Sequence, residues 1–83
     1  MINVKQAAVK AIESLEFVDS NAKDWDVRFE EFELADSEEY WLITLSYSEK
    51  PNLPPVMSPR KYKIFKIDAD SGKVISMKIR AVR

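Results

Sequence analysis

The side chains able to do chemistry here are almost all carboxylates and amines. There is no histidine and no cysteine, which removes the ordinary general base near neutral pH, the thiolate nucleophile and the commonest zinc ligands. What remains first is a run of acids: Glu30, Glu31, Glu33, Asp36, Glu38 and Glu39. A carboxylate pair whose pKa values are split by burial can act as acid and base. Acids crowded around a hairpin tip are normally solvated, however, so no catalytic role is assigned to them. Asp68, Asp70 and Gly72 share the opening spacing of a calcium loop. An EF-hand would need an oxygen ligand where Gly72 stands and a glutamate where Ile79 stands, so the ligand count fails. Turn chemistry accounts for them better, since Asp and Ser bond their own backbone in turns. The expectation is a non-enzyme with no metal and no cofactor.

A second constellation is basic: Lys61, Lys63, Lys66, Lys73, Lys78, Arg80 and Arg83, interleaved with Tyr62 and Phe65. Cations and aromatics alternating on a sheet can neutralise and stack on nucleic acid. Two features weigh against it. Phe65 shares its strand face with Ile67 and belongs to the core, and the first half of the chain would repel a phosphate backbone. Net charge is −1, yet residues 1–41 carry four Lys/Arg against eleven Asp/Glu, and residues 42–83 carry nine against three. The plainer account of that asymmetry is acidic and basic strands pairing across one sheet.

The elements that must position these groups can be read in order. The 83 residues allow one domain, 1–83, with one modest core, at 46% hydrophobic and 33% charged. Asn3 with Gln6 three residues on has the signature of a capping box, with Ile2 placed to staple against Ala7. Val4, Ala7, Ala8, Ala11, Ile12 and Leu15 recur at helical spacing, predicting a helix over about Val4 to Glu16. Phe17 and Val18 are expected to close the end of the core before a polar connection, Asp19 to Asp24. Trp25, Val27 and Phe29 then alternate as a strand, and Phe32 and Leu34 continue in the opposite phase, so a bulge is expected near Glu30 and Glu31. Tyr40 to Tyr47 is the next strand, with Trp41, Ile43, Leu45 and Tyr47 on the core face. Ser48 to Arg60 holds all four prolines and is an extended connection, because proline fixes φ and donates no ladder hydrogen bond.

Tyr62 to Arg80 is a hairpin with its turn at Asp68 to Gly72. Gly72 is the only glycine and stands where the turn and a following bulge need positive φ. Ile75, Met77 and Ile79 are expected on one face, with Val74, Ser76, Lys78 and Arg80 on the other. The fold class is α+β, an N-terminal helix packed on one face of a four-stranded antiparallel sheet. One helix covers one face, leaving Tyr40, Leu42, Tyr62, Ile64 and Val74 on the other, more apolar than a solvated face requires.

The alanine-rich opening helix (Ala7, Ala8, Ala11), the Trp25-x-Val27 strand start and the ending Tyr62 through Ile67, Asp68, Ser71, Gly72 and Val74 together resemble a PepSY-type domain, a small cystatin-like α+β module of bacterial proteins. The resemblance covers most of the chain and implies the α-β-β-β-β order and a protein-binding role. Asp36 and Ser37 stand where such modules have a glycine, and the Gln-x-Val-x-Gly hairpin of true cystatins is absent.

The function expected is a non-enzymatic protein-interaction module, of inhibitor or immunity type, with an unidentified protein as partner; nucleic-acid binding by the basic final hairpin is the alternative. The candidate binding residues are Leu53, Val56 and Met57 in the proline-rich loop and Tyr40, Leu42, Tyr62 and Ile64 on the open face. The loop has two readings. Pre-ordered by proline, it presents Leu53, Val56 and Met57 to a partner at low entropic cost, or it is a spacer whose Leu53 and Val56 fold over the sheet edge. The Met-Ile-Asn-Val-Lys start has no basic n-region and no long apolar run, so no membrane segment and a cytoplasmic location are expected. An exposed edge strand invites pairing and its lysines and arginines oppose it, which leads to monomer or weak homodimer.

Overall fold

The computed structural model describes residues 1–54 and 56–80; Pro55 of the loop and Arg83 of the basic series lie outside the described residues. The capping box forms as written in the sequence. The Asn3 side chain accepts from the Gln6 N–H at 2.8 Å, and the Gln6 side chain accepts from the Asn3 N–H at 2.9 Å. Helix α1 runs Val4–Val18 and buries Ala7, Ala11 and Leu15. It extends two residues past the expected Glu16, and this overturns the role given to Phe17 and Val18. Phe17 is 91% exposed and Val18 is exposed too. At about 100° per residue, Phe17 lies about 200° around the helix from Leu15, on the side away from the sheet. Asp19 ends the helix, and its carboxylate accepts from the Asn21 N–H at 3.0 Å to open a 3₁₀ turn, Ser20–Asp24.

Four strands follow, β1 (Asp26–Ala35), β2 (Tyr40–Ser48), β3 (Lys61–Asp68) and β4 (Val74–Arg80), antiparallel and side by side in chain order. This is the expected α+β architecture, with α1 packed on one face. The phase switch in β1 is a bulge: Phe29 pairs with Leu45 and Glu31 with Thr44, leaving Glu30 as the extra residue. Val27, Phe29, Phe32 and Leu34 therefore all lie on the helix side. A second bulge interrupts β4, where Ile67 pairs with Val74 and Lys66 with Ser76. Ile75 is the extra residue, so the expected strict alternation of β4 fails at its start. Val74 packs with Met77 against the core beneath the helix and is not on the open face.

Ile43, Leu45, Phe65 and Ile67 form the buried centre with Ala7, Ala11 and Leu15. Phe65 is fully buried, as its shared face with Ile67 implied. A helix about 10 Å across covers about two strands spaced about 4.8 Å apart. The outer strands consequently keep apolar side chains in water on the helix side. Phe32 of β1 is 55% exposed and Ile79 of β4 is 84% exposed, although Ile79 shares its face with Met77.

The β3–β4 turn closes through Asp68 N–H to Lys73 O at 2.8 Å and Gly72 N–H to Asp68 O at 2.9 Å, with Gly72 at φ 76°. The β1–β2 turn has no glycine, and Asp36, Ser37 and Glu38 sit at φ 53°, 58° and 70°. Ahead of the helix, Ile2 N–H donates to Ala69 O at 2.6 Å and the Trp41 indole N–H donates to Ile2 O at 3.1 Å. Ala69 N–H in turn donates to Glu39 O at 2.9 Å.

Candidate interaction surfaces

The face of the sheet opposite the helix carries Thr44 and Ser46 at its middle, and both are buried. Among the described residues no helix lies over them; arginines do. Arg60 reaches across Ser46, donating to its hydroxyl at 3.1 Å and to Asp26 at two points, the carboxylate and the main-chain carbonyl, each at 2.9 Å. Ser46 donates onward to the Glu30 carboxylate at 2.5 Å. Arg80 extends over Thr44, with its guanidinium 3.4 Å from the hydroxyl, and pairs with Glu31. The β1 bulge makes both contacts possible, because the extra residue lets two consecutive side chains, Glu30 and Glu31, serve the same face. The charged groups thus seal the polar middle of the sheet. β1 and β4 are opposite edges of the sheet, and their acids and bases meet over this face.

Four candidate residues share that face without forming one patch. Leu42 and Ile64 are half-buried and line one hollow of about 240 Å³ with Glu31, Glu33 and Thr44. Tyr40 lies nearer the β1–β2 turn, with the Lys66 ammonium 4.3 Å from its ring centre; Lys66 also pairs with Asp36 at 3.2 Å. Tyr62 borders a different hollow of about 510 Å³, near the far end of the sheet, with Arg60, Lys61, Lys63, Arg80, Tyr47 and Ile79.

The cations of that hollow are mostly engaged already. Lys61 pairs with Glu49, and the hydrogen bond and charge of that carboxylate hold its amine above the usual lysine range. Burial pushes the Tyr47 phenol up, opposed by the charge of Lys61, and Tyr47 stacks on Trp25 with ring centres 4.9 Å apart. The Asp68 carboxylate accepts from the Asp70 and Ser71 N–H groups at 2.9 Å each, and these bonds hold it below the usual carboxylate range. Asp68 is thus a turn residue, as the sequence indicated.

The proline-rich loop is fixed at its base and bare at its tip. Buried Ser58 is hydrogen-bonding distance, 3.2 Å, from the Ser48 hydroxyl and accepts from the Lys50 N–H at 3.3 Å. Met57 and Ser58 N–H groups both donate to Pro54 O, at 2.9 and 3.0 Å. Val56 is nonetheless 89% exposed and Met57 67% exposed. Leu53, less exposed, borders a shallow hollow with Asp26, Arg28, Ser48 and Arg60. The folding back of Val56 that a plain spacer requires is not observed. Sequence reasoning missed Phe29 and Phe32 as exposed side chains, because their alternation marks a buried face whatever the width of the cover. Their rings lie 5.8 Å apart, and Phe32 meets Trp41 edge-on at 6.1 Å.

Among the described residues no helix is long and apolar enough to cross a membrane. No family model, no curated protein and no solved structure matches this chain.

Proposed function

We propose that this chain is a non-enzymatic protein-interaction module of the cytoplasm, binding another protein in the manner of an inhibitor or immunity factor, with a PepSY-like arrangement as its scaffold. The observation that carries the reading is the loop. Val56 and Met57 stand in water on a segment whose base is pinned by Ser58. An anchored loop with an apolar tip has lost much of its freedom before binding, so a partner that buries those side chains meets a smaller ordering cost. Leu53 extends the same surface toward β1, and Leu42, Ile64, Tyr40 and Tyr62 offer secondary contacts between the arginines of the open face. The absence of histidine and cysteine from the sequence supports a binding role over nucleophilic or general-base catalysis. Nucleic-acid binding is disfavoured because Lys61, Lys66, Arg60 and Arg80 each already face a carboxylate of the same chain.

The test uses the whole protein on a support, alongside a variant carrying Leu53→Ser, Val56→Ser and Met57→Ser. A specific protein from the source lysate should be retained by the natural chain and lost from the variant, while the melting temperature of the two stays within a few degrees. Equal retention by both, or retention of chaperones alone, would defeat the proposal.

A further inference from the structure

The strand order places the two charge-biased halves of the chain at opposite borders of one open sheet. β1 is one border and β4 the other, and no other part of the described backbone bonds to the outer side of either strand. Each border therefore offers unpaired N–H and C=O groups, which template pairing with another strand. Their side chains differ in sign. Along its last stretch β1 presents Glu31 and Glu33 on the open face and Phe32 on the helix face; β4 presents Lys78 and Arg80 on the open face and Ile79 on the helix face.

We propose that β1 of one copy pairs antiparallel with β4 of a second copy, continuing the sheet from molecule to molecule in a head-to-tail chain. The occupant of each border is thus the other border of this same protein. One register satisfies both faces at once: Phe32 opposite Ile79 and Leu34 opposite Met77 on the helix side, and Glu33 opposite Lys78 on the open side. Glu31 and Arg80, which already pair within the chain, come opposite each other again between copies. The alternation of strand directions is preserved, since β1 runs antiparallel to β2 and β4 antiparallel to β3.

Charge decides between this and the symmetric dimers. Pairing β1 with β1 would set Glu31 and Glu33 against their own copies, and pairing β4 with β4 would do the same with Lys78 and Arg80. Like charges directly opposite destabilise a strand pair, and opposite charges support it. The favoured contact is consequently heterologous, and a heterologous contact repeated by translation does not close at two subunits. Only a few residues meet, so the association is weak, and it is separate from the partner binding proposed above, which uses the loop.

Sedimentation of the full chain over a wide concentration range tests this. At low salt the average mass should climb with concentration without levelling at a dimer, and 1 M salt, where screening acts within about 3 Å, should return it towards the monomer. Glu33→Lys alone and Lys78→Glu alone should each lower the association constant roughly tenfold, since each turns a favourable opposed pair into a like-charged one. An equal mixture of the two variants should restore it, because each supplies the border that the other lacks. A mass that stays monomeric up to millimolar protein at low salt, a plateau at the dimer, or no restoration on mixing would each overturn the proposal. Loss of folding in a variant would show as a changed circular dichroism spectrum, and Phe32→Lys then serves as the second disruption of the same border.

Discussion

Asp36, Ser37 and Glu38 occupy the same left-handed region of backbone space as Gly72, yet only Gly72 is built for it. An L side chain there costs roughly 1 to 2 kcal/mol and losing a glycine recovers about 0.5 to 1 kcal/mol of unfolded-chain entropy, so Gly72→Ala should lower stability by a net of about 0.5 to 1 kcal/mol. A methyl group at Gly72 would also come within 3.4 Å of the Lys10 side chain. Glu38→Gly should act in the opposite direction. It removes the left-handed penalty and returns about 0.5 to 1 kcal/mol to the unfolded chain as glycine entropy, leaving a net gain of about 0.5 kcal/mol. Thermal melts resolve both, because 1 kcal/mol moves the midpoint of a domain this small by about 4 to 8 °C. Asp68 adds a pH dependence. Its carboxyl is held below the usual range when folded, so it stabilises the fold above about pH 4 and that contribution is lost as acid protonates the folded form. Stability should therefore fall less steeply between about pH 5 and pH 2 in Asp68→Asn than in the natural chain. The turn at Gly72 was legible because a lone glycine after Asp and Ser names it. The turn at Asp36 was not, since nothing in Asp-Ser-Glu announces three left-handed residues in a row.

The elements show where a periodic pattern informs and where it stops. The cap at Asn3, the apolar stripe of α1 and the bulge of β1 could all be read, because each is a local rule of spacing: three residues for the box, four for the stripe, a change of phase for the bulge. The fate of Phe17, Phe32 and Ile79 could not, since it depends on how far one element overhangs another. That difference predicts unequal costs for similar truncations. Leu15→Ala should cost about 2 to 5 kcal/mol, the usual range for emptying a packed site. Phe17→Ala, on the solvent side of the same helix, should stay within about 0.5 kcal/mol. Urea unfolding of the two variants measures the contrast, and a large loss in Phe17→Ala would mean that the end of α1 packs on something other than water. The proline-rich loop could be recognised as a loop but not as an anchored one; Ser48 and Ser58, ten residues apart, carry no signal of meeting.

For the molecule as a whole, the sequence order of helix and hairpins was enough to give one helix on one face of a four-stranded sheet, because hairpin-linked strands lie side by side. It was not enough to show what closes the other face, since Arg60 and Arg80 meet Asp26 and Glu31 only through the complete strand order. Those pairs bear on the basic final hairpin. With Lys61, Lys66 and Arg80 of that hairpin turned toward acids of the same chain, titration with labelled single- and double-stranded nucleic acid at low salt should show no binding. Micromolar binding that weakens steeply with added salt would restore the nucleic-acid reading, as expected when phosphate contacts release counterions. The main-chain bonds around Ile2 have a consequence for motion. Residues ahead of a first helix normally fray, but Ile2 is bonded to Ala69 and Trp41, and Ala69 to Glu39, so the start of the chain is knotted to both hairpin tips. The helix cannot peel from that end without disturbing both turns, which makes these segments one cooperative unit for opening. Amide exchange followed by deuterium labelling should then find the Ile2 and Ala69 hydrogens lost together, at a rate close to that of Phe65 in the core and far slower than that of Asn52 in the loop. Loss of the Ile2 hydrogen as fast as that of Asn52 would mean that the knot opens by itself, leaving the sheet intact.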